Sequence, residues 1–342
     1  MTIHCVPVEE SPSSLCSSGT ASATIVWSMK VIDTAKIIAG VYLTLSAIGA
    51  IAYLVAGMNL FDAVNHSMAA LSTGGFSTKN LSFGAFDSTL QLIAIVFMIL
   101  GGINFAFYWR AIRGRSVRPQ AVEVVAFLLL TLLFIIVIAI SLWLTDEETG
   151  VGQIFLDSGF TVASIITTTG FTSVDFDAWN SFARTLILLI MFVGACAGST
   201  AGGIKVIRIL LLGQSASQEL QRQIKPTAIR VLRIGSRVFS EDVRRAVLGF
   251  FLIYVGIYVA GVVLMTTGGL DPLSSISAAT ATLNCVGPGI AEVGALDNYE
   301  ALSPFNRMVA SFLMLTGRLE IFTVVALLIA LVSRLREAIP AR

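Results

Sequence analysis

Ser164-Ile-Ile-Thr-Thr-Thr-Gly170-Phe-Thr-Ser173 is a small, uncharged, hydroxyl-rich segment set between a short apolar run and a long one. Two other stretches repeat the plan: Ser72-Thr73-Gly74-Gly75-Phe76-Ser77 and Asn284-Cys285-Val286-Gly287-Pro288-Gly289. In each, a short amphipathic run ends in a Gly-centred turn and a hydrophobic span follows. The three read as re-entrant loops, with repeated glycines at 74, 170 and 287, about 96 and 117 residues apart.

Composition sets the surroundings of these loops. The 342 residues are 56% hydrophobic and 13% charged, with mean hydropathy +0.86. That leaves too few polar groups to cover the surface of a soluble protein, and the chain reads as an integral membrane protein. Cys5, Cys16, Cys196 and Cys285 are scattered, and His4 and His66 are the only histidines. A disulfide framework or a zinc site is therefore not expected. Met1 to Ser28 lacks the basic start and compact apolar run of a signal peptide and reads as a disordered tail.

A bilayer core of about 30 Å needs about 20 apolar helical residues. Thr34–Gly57, Phe86–Trp109, Gln120–Leu144, Phe182–Leu212 with a break, Ala246–Thr267 and Pro304–Arg334 meet that length. Phe61–Leu71, Gln153–Thr167 and Asp271–Leu283 are too short or too polar, and lie between the spans of each pair. Arg110, Arg113, Arg115 and Arg118 cluster in one connection. A second gathers Lys205, Arg208, Arg222, Lys225, Arg230, Arg233, Arg237, Arg244 and Arg245. These faces are expected to be cytoplasmic, together with the C-terminus at Arg334, Arg336 and Arg342. Asp146, Glu147, Glu148, Asp157, Asp175, Asp177, Glu292, Asp297 and Glu300 mark the other side, toward which the loops open. The basic insert Gln214–Ser240, interrupted by Pro226, reads first as a solvated connector and alternatively as a docking surface.

Irregular backbone at membrane depth is tolerated only where it is buried in protein or lines a watery cavity, so three such loops imply a shared cavity. Glycine permits positive φ, which lets successive carbonyls face one axis and replace the hydration shell of a cation. Thr73, Thr168 and Thr169 add hydroxyl oxygens. No acid lies in the loops, which favours a monovalent ion over a divalent one. Each short helix aims its C-terminal end, about half a negative charge, at its loop. Tight helix packing is the structural alternative for any single Gly-rich turn, and repetition in three places argues against it.

Gly194-Ala-Cys-Ala-Gly198-Ser-Thr-Ala-Gly-Gly203 interrupts the fourth span with small flexible residues. A mobile constriction beneath the third loop is the functional reading, and a close helix crossing the structural one. Its tail lacks the Gly-Lys-Ser/Thr ending of a phosphate-binding loop. Arg318 lies inside the last span, where a charge is expensive unless it faces a cavity or partner; the structural alternative is a pair with Glu320. Asn104, Lys205 and Asp62 are weaker candidates, at membrane edges or helix caps. No His/Asp/Glu set, Ser–Lys pair or metal motif lies within the spans, so enzymatic chemistry is not expected.

Ser-Thr-Gly-Gly-Phe-Ser, Thr-Thr-Thr-Gly-Phe-Thr, Val-Gly-Pro-Gly, Ala-Gly-Ser-Thr-Ala-Gly-Gly-Ile-Lys and Gly-Arg-Leu-Glu-Ile-Phe-Thr together resemble the TrkH/KtrB superfamily of potassium transporters, over roughly Val31 to Arg334. The resemblance implies an all-α integral membrane fold of pseudo-symmetric units, each a transmembrane helix, pore helix, filter loop and second transmembrane helix, around one pore. It implies a potassium filter at Ser72, Thr73, Gly74, Gly75, Thr168, Thr169, Gly170, Phe171, Cys285, Val286 and Gly287, with Gly74, Gly170 and Gly287 as central glycines. It further implies a gate built from Gly194, Gly198, Ser199, Thr200, Gly202 and Gly203, with Arg318 facing the pore below the filter. The implied ligand is K+ as cargo, with no covalent cofactor. The implied partners are the lipid bilayer, a second copy in a homodimer and a cytosolic nucleotide-binding subunit of the TrkA/KtrA kind, with no nucleic acid. The implied location is the bacterial inner membrane. Three of the family's four units are expected: 34–118, 119–240 and 241–342, resembling the second, third and fourth, after a disordered tail at 1–33. The chain is then either the larger part of a potassium uptake pore or a truncated, non-conducting subunit that supplies assembly surface.

Overall fold

A computed structural model describes residues 20–338 except 115, 146–148, 225–231, 236, 298 and 320. Arg115, Asp146, Glu147, Glu148, Lys225, Pro226, Arg230, Glu320 and Arg342 lie outside the described residues. Among the described residues the architecture is helical apart from one short hairpin, and it repeats three times. The first unit comprises α1 (Thr20–Val55), α2 (Leu60–Leu71), α3 (Ser88–Gly102) and α4 (Phe105–Ile112). The second comprises α5 (Arg118–Trp143), α6 (Val151–Ile166), α7 (Ser181–Ile190) and α8 (Val206–Ile224). A hairpin of β1 (Leu232–Ile234) and β2 (Arg237–Phe239) precedes the third unit, which comprises α9 (Glu241–Thr267), α10 (Pro272–Leu283), α11 (Pro304–Arg318) and α12 (Ile321–Ala338).

Ala35–Val55, Gln120–Trp143 and Glu241–Thr267 are long and apolar enough to cross a membrane, and open each unit. Their outward side chains, such as Leu129, Ile140, Leu252 and Val259, are large, apolar and exposed. A soluble protein would place polar groups there. Helix α1 begins at Thr20, inside the stretch expected to be a disordered tail. Between Thr20 and Ala39 the chain has neither Gly nor Pro, so nothing local stops the helix from running ahead of its apolar part.

The second span of every unit is broken, where the sequence indicated a break only in the middle one. Phe86–Trp109 is not one span: α3 and α4 meet at 89°. Ile103 is extended there (φ −87°, ψ 146°), and the Asn104 side chain caps α4 by accepting from the Ala106 amide at 2.8 Å. The run Pro304–Arg334 is likewise two helices, bent by 109° between Arg318 and Ile321. Gly101 and Gly317 stand at these breaks because the chain presses there on the ends of the short helices. A Cβ at Gly101 would lie 3.0 Å from the Leu71 carbonyl oxygen, and one at Gly317 would collide with that of Leu283.

The short helices depart from the amphipathic expectation too. Ser158 to Ile166 of α6, and all of α10 from Ser274 to Leu283 except Ile276, are buried. In α10, Thr282 and Thr280 turn their hydroxyls back onto their own helix, to Ala278 O at 2.6 Å and Ile276 O at 2.7 Å, which lets the helix bury them. Asp271 caps α10. Hydrogen bonds from Ser274, together with the Leu273 amide, hold its carboxyl below the usual carboxylate range.

Asn180 shows how a loop residue locks two helices. It caps α7 by accepting from Ala183 N at 2.8 Å, and its amide donates to the Ser141 carbonyl and Thr145 hydroxyl of α5 and its end at 3.2 and 3.0 Å. Asn180→Ala removes the cap and both links, and is expected to lower stability by about 1 to 2 kcal/mol. Thermal unfolding of the detergent-solubilised protein checks this; an unchanged midpoint would contradict the assignment.

Candidate functional site

The three loops after α2, α6 and α10 share one backbone solution. Each helix ends at a C-cap in the helical region: Ser72, Thr167 and Asn284. The next residue is left-handed although it is not glycine: Thr73 at φ 51°, Thr168 at 55° and Cys285 at 56°. Two further on, a glycine is left-handed: Gly75 at 71°, Gly170 at 82° and Gly287 at 105°. Residues between them donate back to the helix, Gly74 N to Ala69 O at 2.8 Å, Thr169 N to Ser164 O at 2.8 Å and Val286 N to Ala281 O at 2.9 Å. This is the Schellman arrangement, which normally takes glycine at the left-handed position. For β-branched threonine that conformation is a genuine outlier, retained only where surrounding structure imposes it.

This register corrects one assignment. Gly75, not Gly74, is the counterpart of Gly170 and Gly287. The doubled glycine made the choice ambiguous in sequence, and the backbone resolves it. The reason Gly75 must be glycine is a neighbour: a Cβ there would collide with the Thr169 carbonyl oxygen, as one at Gly170 would with that of Val286. Each loop therefore lies against the next, and the carbonyls of Thr169 and Val286 crowd the seams. At Gly287, among the described residues, nothing stands within 4 Å of that position. The other flank is open as well. Phe171 is 2% exposed against Phe83, at 4.7 Å between centroids, whereas Phe76 in the same place of the first loop is 82% exposed.

Side chains behind the loops hold them in place, each unit by different means. His66 pairs with the Ser77 hydroxyl at 2.9 Å, and Asp62 accepts from Thr78 at 2.6 Å and pairs with Lys79 at 3.5 Å. Ser164 donates to the Phe171 carbonyl at 2.6 Å. In the third unit Ser277 accepts from Ile290 N at 2.6 Å, and Tyr299 donates to the Gly287 carbonyl at 2.8 Å. The hydroxyls expected as extra ion ligands are engaged within the protein. Thr73 donates to Ser72 O, Thr168 accepts from Gly202 N, and Thr169 pairs with Thr167.

Beneath these loops runs the segment from Met191 to Lys205, where the second span of the middle unit opens into irregular chain. Its arms zip together, Gly194 N to Ile204 O at 2.8 Å and Val206 N to Ala195 O at 3.2 Å. Its tip reaches the C-terminal end of all three short helices. Thr200 donates to Leu71 O at 2.9 Å, Gly202 N donates to the Thr168 hydroxyl at 2.6 Å, and Gly202 lies so close to Asn284 O that a Cβ would collide with it. Ser199 closes a turn onto Cys196 O, and Gly198 (φ 78°) and Gly203 (φ 64°) are left-handed. Arg318 ends α11, at the break inside the last span, where it donates to Thr200 O at 3.0 Å and Ser72 O at 3.5 Å. Lys205 donates to Ala201 O within the same segment. One arrangement thus gathers the sequence-selected residues: three strained loops above, a glycine-rich loop below and a guanidinium bridging them.

A family model described as "Cation transport protein", TrkH, matches residues 14–334. The chain belongs to the TrkH family. It is 35% identical over 301 residues to the Trk system potassium uptake protein TrkH of Escherichia coli K12, and 39% identical over 302 residues to that of Halomonas elongata. The alignments cover 87% of this chain and 62% of those relatives, so the chain spans less than two thirds of their length. The crystal structure of the potassium transporter TrkH from Vibrio parahaemolyticus is similar at TM-score 0.82 and 37% identity, over 87% of this chain and 64% of that one. The chain is therefore a multi-pass membrane protein of a transport family.

Sequence reading missed Glu123, the only acid between Gln120 and Leu144, which reaches the glycine-rich loop. An acid inside an apolar span is the signal that could have found it. Asn104 proves to be both a helix cap and a partner of that loop, donating to Ala197 O at 2.6 Å.

The register makes a sharp contrast testable. Gly75→Ala and Gly170→Ala each force a Cβ onto a neighbouring carbonyl and should cost at least about 3 kcal/mol, combining overpacking with left-handed strain. Gly74→Ala, whose φ is not positive, should be tolerated within about 1 kcal/mol. Thermal unfolding of the three variants checks this, and equal tolerance at Gly74 and Gly75 would overturn the register.

Proposed function

We propose that this chain supplies three of the loops of a potassium-selective filter and the gate beneath it, in a system that takes up K+ across the bacterial inner membrane. The observation that carries the reading is the repeated backbone at Thr73–Gly75, Thr168–Gly170 and Cys285–Gly287, left-handed at the first and third residues and not at the second. Such alternation brings successive carbonyls toward one side, where they replace water around a weakly hydrated cation. Ser72, Gly74, Thr169, Phe171 and Val286 complete the filter strands, and the helix ends add negative potential. Support also comes from the relatives, whose names are those of potassium uptake proteins.

In this reading Gly194, Gly198, Ser199, Thr200, Gly202 and Gly203 block the path below the filter, and Arg318 sets an electrostatic barrier there. The filter opens outward and the basic connections face the cytoplasm. Residues 34–118, 119–240 and 241–342 are its three units. A homodimer and a cytosolic nucleotide-binding subunit are the partners we assign to it. The open flanks at Gly287 and Phe76 favour one qualification: conduction requires one more loop seated between them, and without it the chain contributes assembly surface alone.

Rubidium uptake into a strain lacking its own potassium transport tests the proposal, with the chain expressed alone and together with a complementing loop unit. Uptake in the second case is expected, and its absence in both would overturn the reading. Gly170→Ser should reduce the potassium-to-sodium permeability ratio about tenfold, equivalent to about 1.4 kcal/mol of discrimination. Arg318→Ala should raise flux; unchanged or lower flux would assign Arg318 to structure instead.

A further inference from the structure

The glycine-rich loop is anchored to the helix beside it by one buried carboxylate. Glu123 of α5 is 8% exposed and accepts a hydrogen bond from the Ala197 amide at 2.6 Å. The Ile207 backbone, in the first turn of α8, also lies near this carboxyl group. Ala197 lies within the loop, past its zipped arms, and Ile207 just after the loop has ended, so one side chain is placed between the loop and the helix that follows it. The Ala197 peptide is clamped from its other face as well, by Asn104 on its carbonyl.

Two cationic side chains lie in the neighbourhood of the same carboxyl group. Lys205 belongs to the loop, and Arg237 to strand β2 on the cytoplasmic side. The hairpin is fixed to the same elements. Gly235 at its turn (φ 58°) packs so closely on Val122, the residue before Glu123, that a Cβ would strike it. Leu232 packs with Leu211 and Val247, and Gln214 of α8 donates to Arg233 O at 2.6 Å. The hairpin therefore touches the helix that carries Glu123 and the helix that leaves the loop.

We propose that Glu123 is a positioning residue that pins the glycine-rich loop beneath the filter and ties that position to the charge and seating of the cytoplasmic hairpin. A carboxylate in an apolar span stays where hydrogen bonds and opposite charge surround it. Here the loop supplies the hydrogen bond, from Ala197 N, and Lys205 of the loop and Arg237 of the hairpin are the cations nearby. Displacing the loop would strand Glu123, and displacing the hairpin would remove one of its cations. The proposal rests on reading the loop as a gate.

Cys196, fully buried and adjacent to Ala197, reports the loop without reference to transport. Maleimide labelling of the purified full chain in micelles, followed peptide by peptide by mass spectrometry, is expected to find Cys196 protected. In E123A it should label at least about tenfold faster through local opening, with E123D returning most of the protection. Ile138→Ala, a core truncation farther along α5, should leave Cys196 protected. R237A should accelerate labelling in the otherwise native chain and add nothing in the E123Q background. Equal protection in E123A, or equally fast labelling in I138A, would overturn the pinning role, and equal acceleration by R237A in both backgrounds would overturn the link to the hairpin. Should E123A not accumulate folded, E123Q carries the first comparison. Rubidium flux is read separately: loop release without any change in flux would leave the pinning role intact and count against the gate.

Discussion

Everything near the centre of this protein follows from ending three helices inside a membrane. A helix that stops there leaves carbonyls that lipid cannot satisfy, so the chain must fold back on its own last turn. The Schellman closures at Gly74, Thr169 and Val286 do this, and they require Thr73, Thr168 and Cys285 to take a conformation that costs about 1 to 2 kcal/mol for any residue but glycine. That strain persists because the segment is held from both sides. Behind it stand His66, Ser164, Ser277 and Tyr299, and below it the glycine-rich loop.

The same constraint explains the broken second spans. A short helix that ends at mid-depth presents its last carbonyls to whatever passes beneath, and the passing chain must approach without side chains. Gly101 meets Leu71, Gly317 meets Leu283, and Gly202 meets Asn284. In the outer units the break is a sharp bend. In the middle unit it expands into a loop long enough to reach all three helix ends.

The asymmetry between flanks has a plain physical origin. Phe171 is buried because a preceding unit supplies Phe83 and His66 around it, and Phe76 is exposed because the first loop has no such neighbour among the described residues. Gly287 faces open space for the complementary reason. The two ends of the row of loops are thus an exposed phenyl ring at Phe76 and an uncovered glycine at Gly287.

Hydropathy alone determined that the chain lies in a membrane, because 13% charged residues cannot cover a soluble surface. Periodic small-polar segments located the three loops and the glycine-rich loop, since irregular backbone in an apolar setting leaves a compositional trace. Family motifs carried the potassium reading. Tertiary structure decided what depends on neighbours distant in sequence. The choice between Gly74 and Gly75 rests on the Thr169 carbonyl, about ninety-five residues away along the chain. The bends at Ile103 and after Arg318 arise where apolar stretches cross helix ends that no local pattern reveals. Glu123 takes its meaning from Ala197, Lys205 and Arg237, which come together only when the loop and the hairpin close on α5.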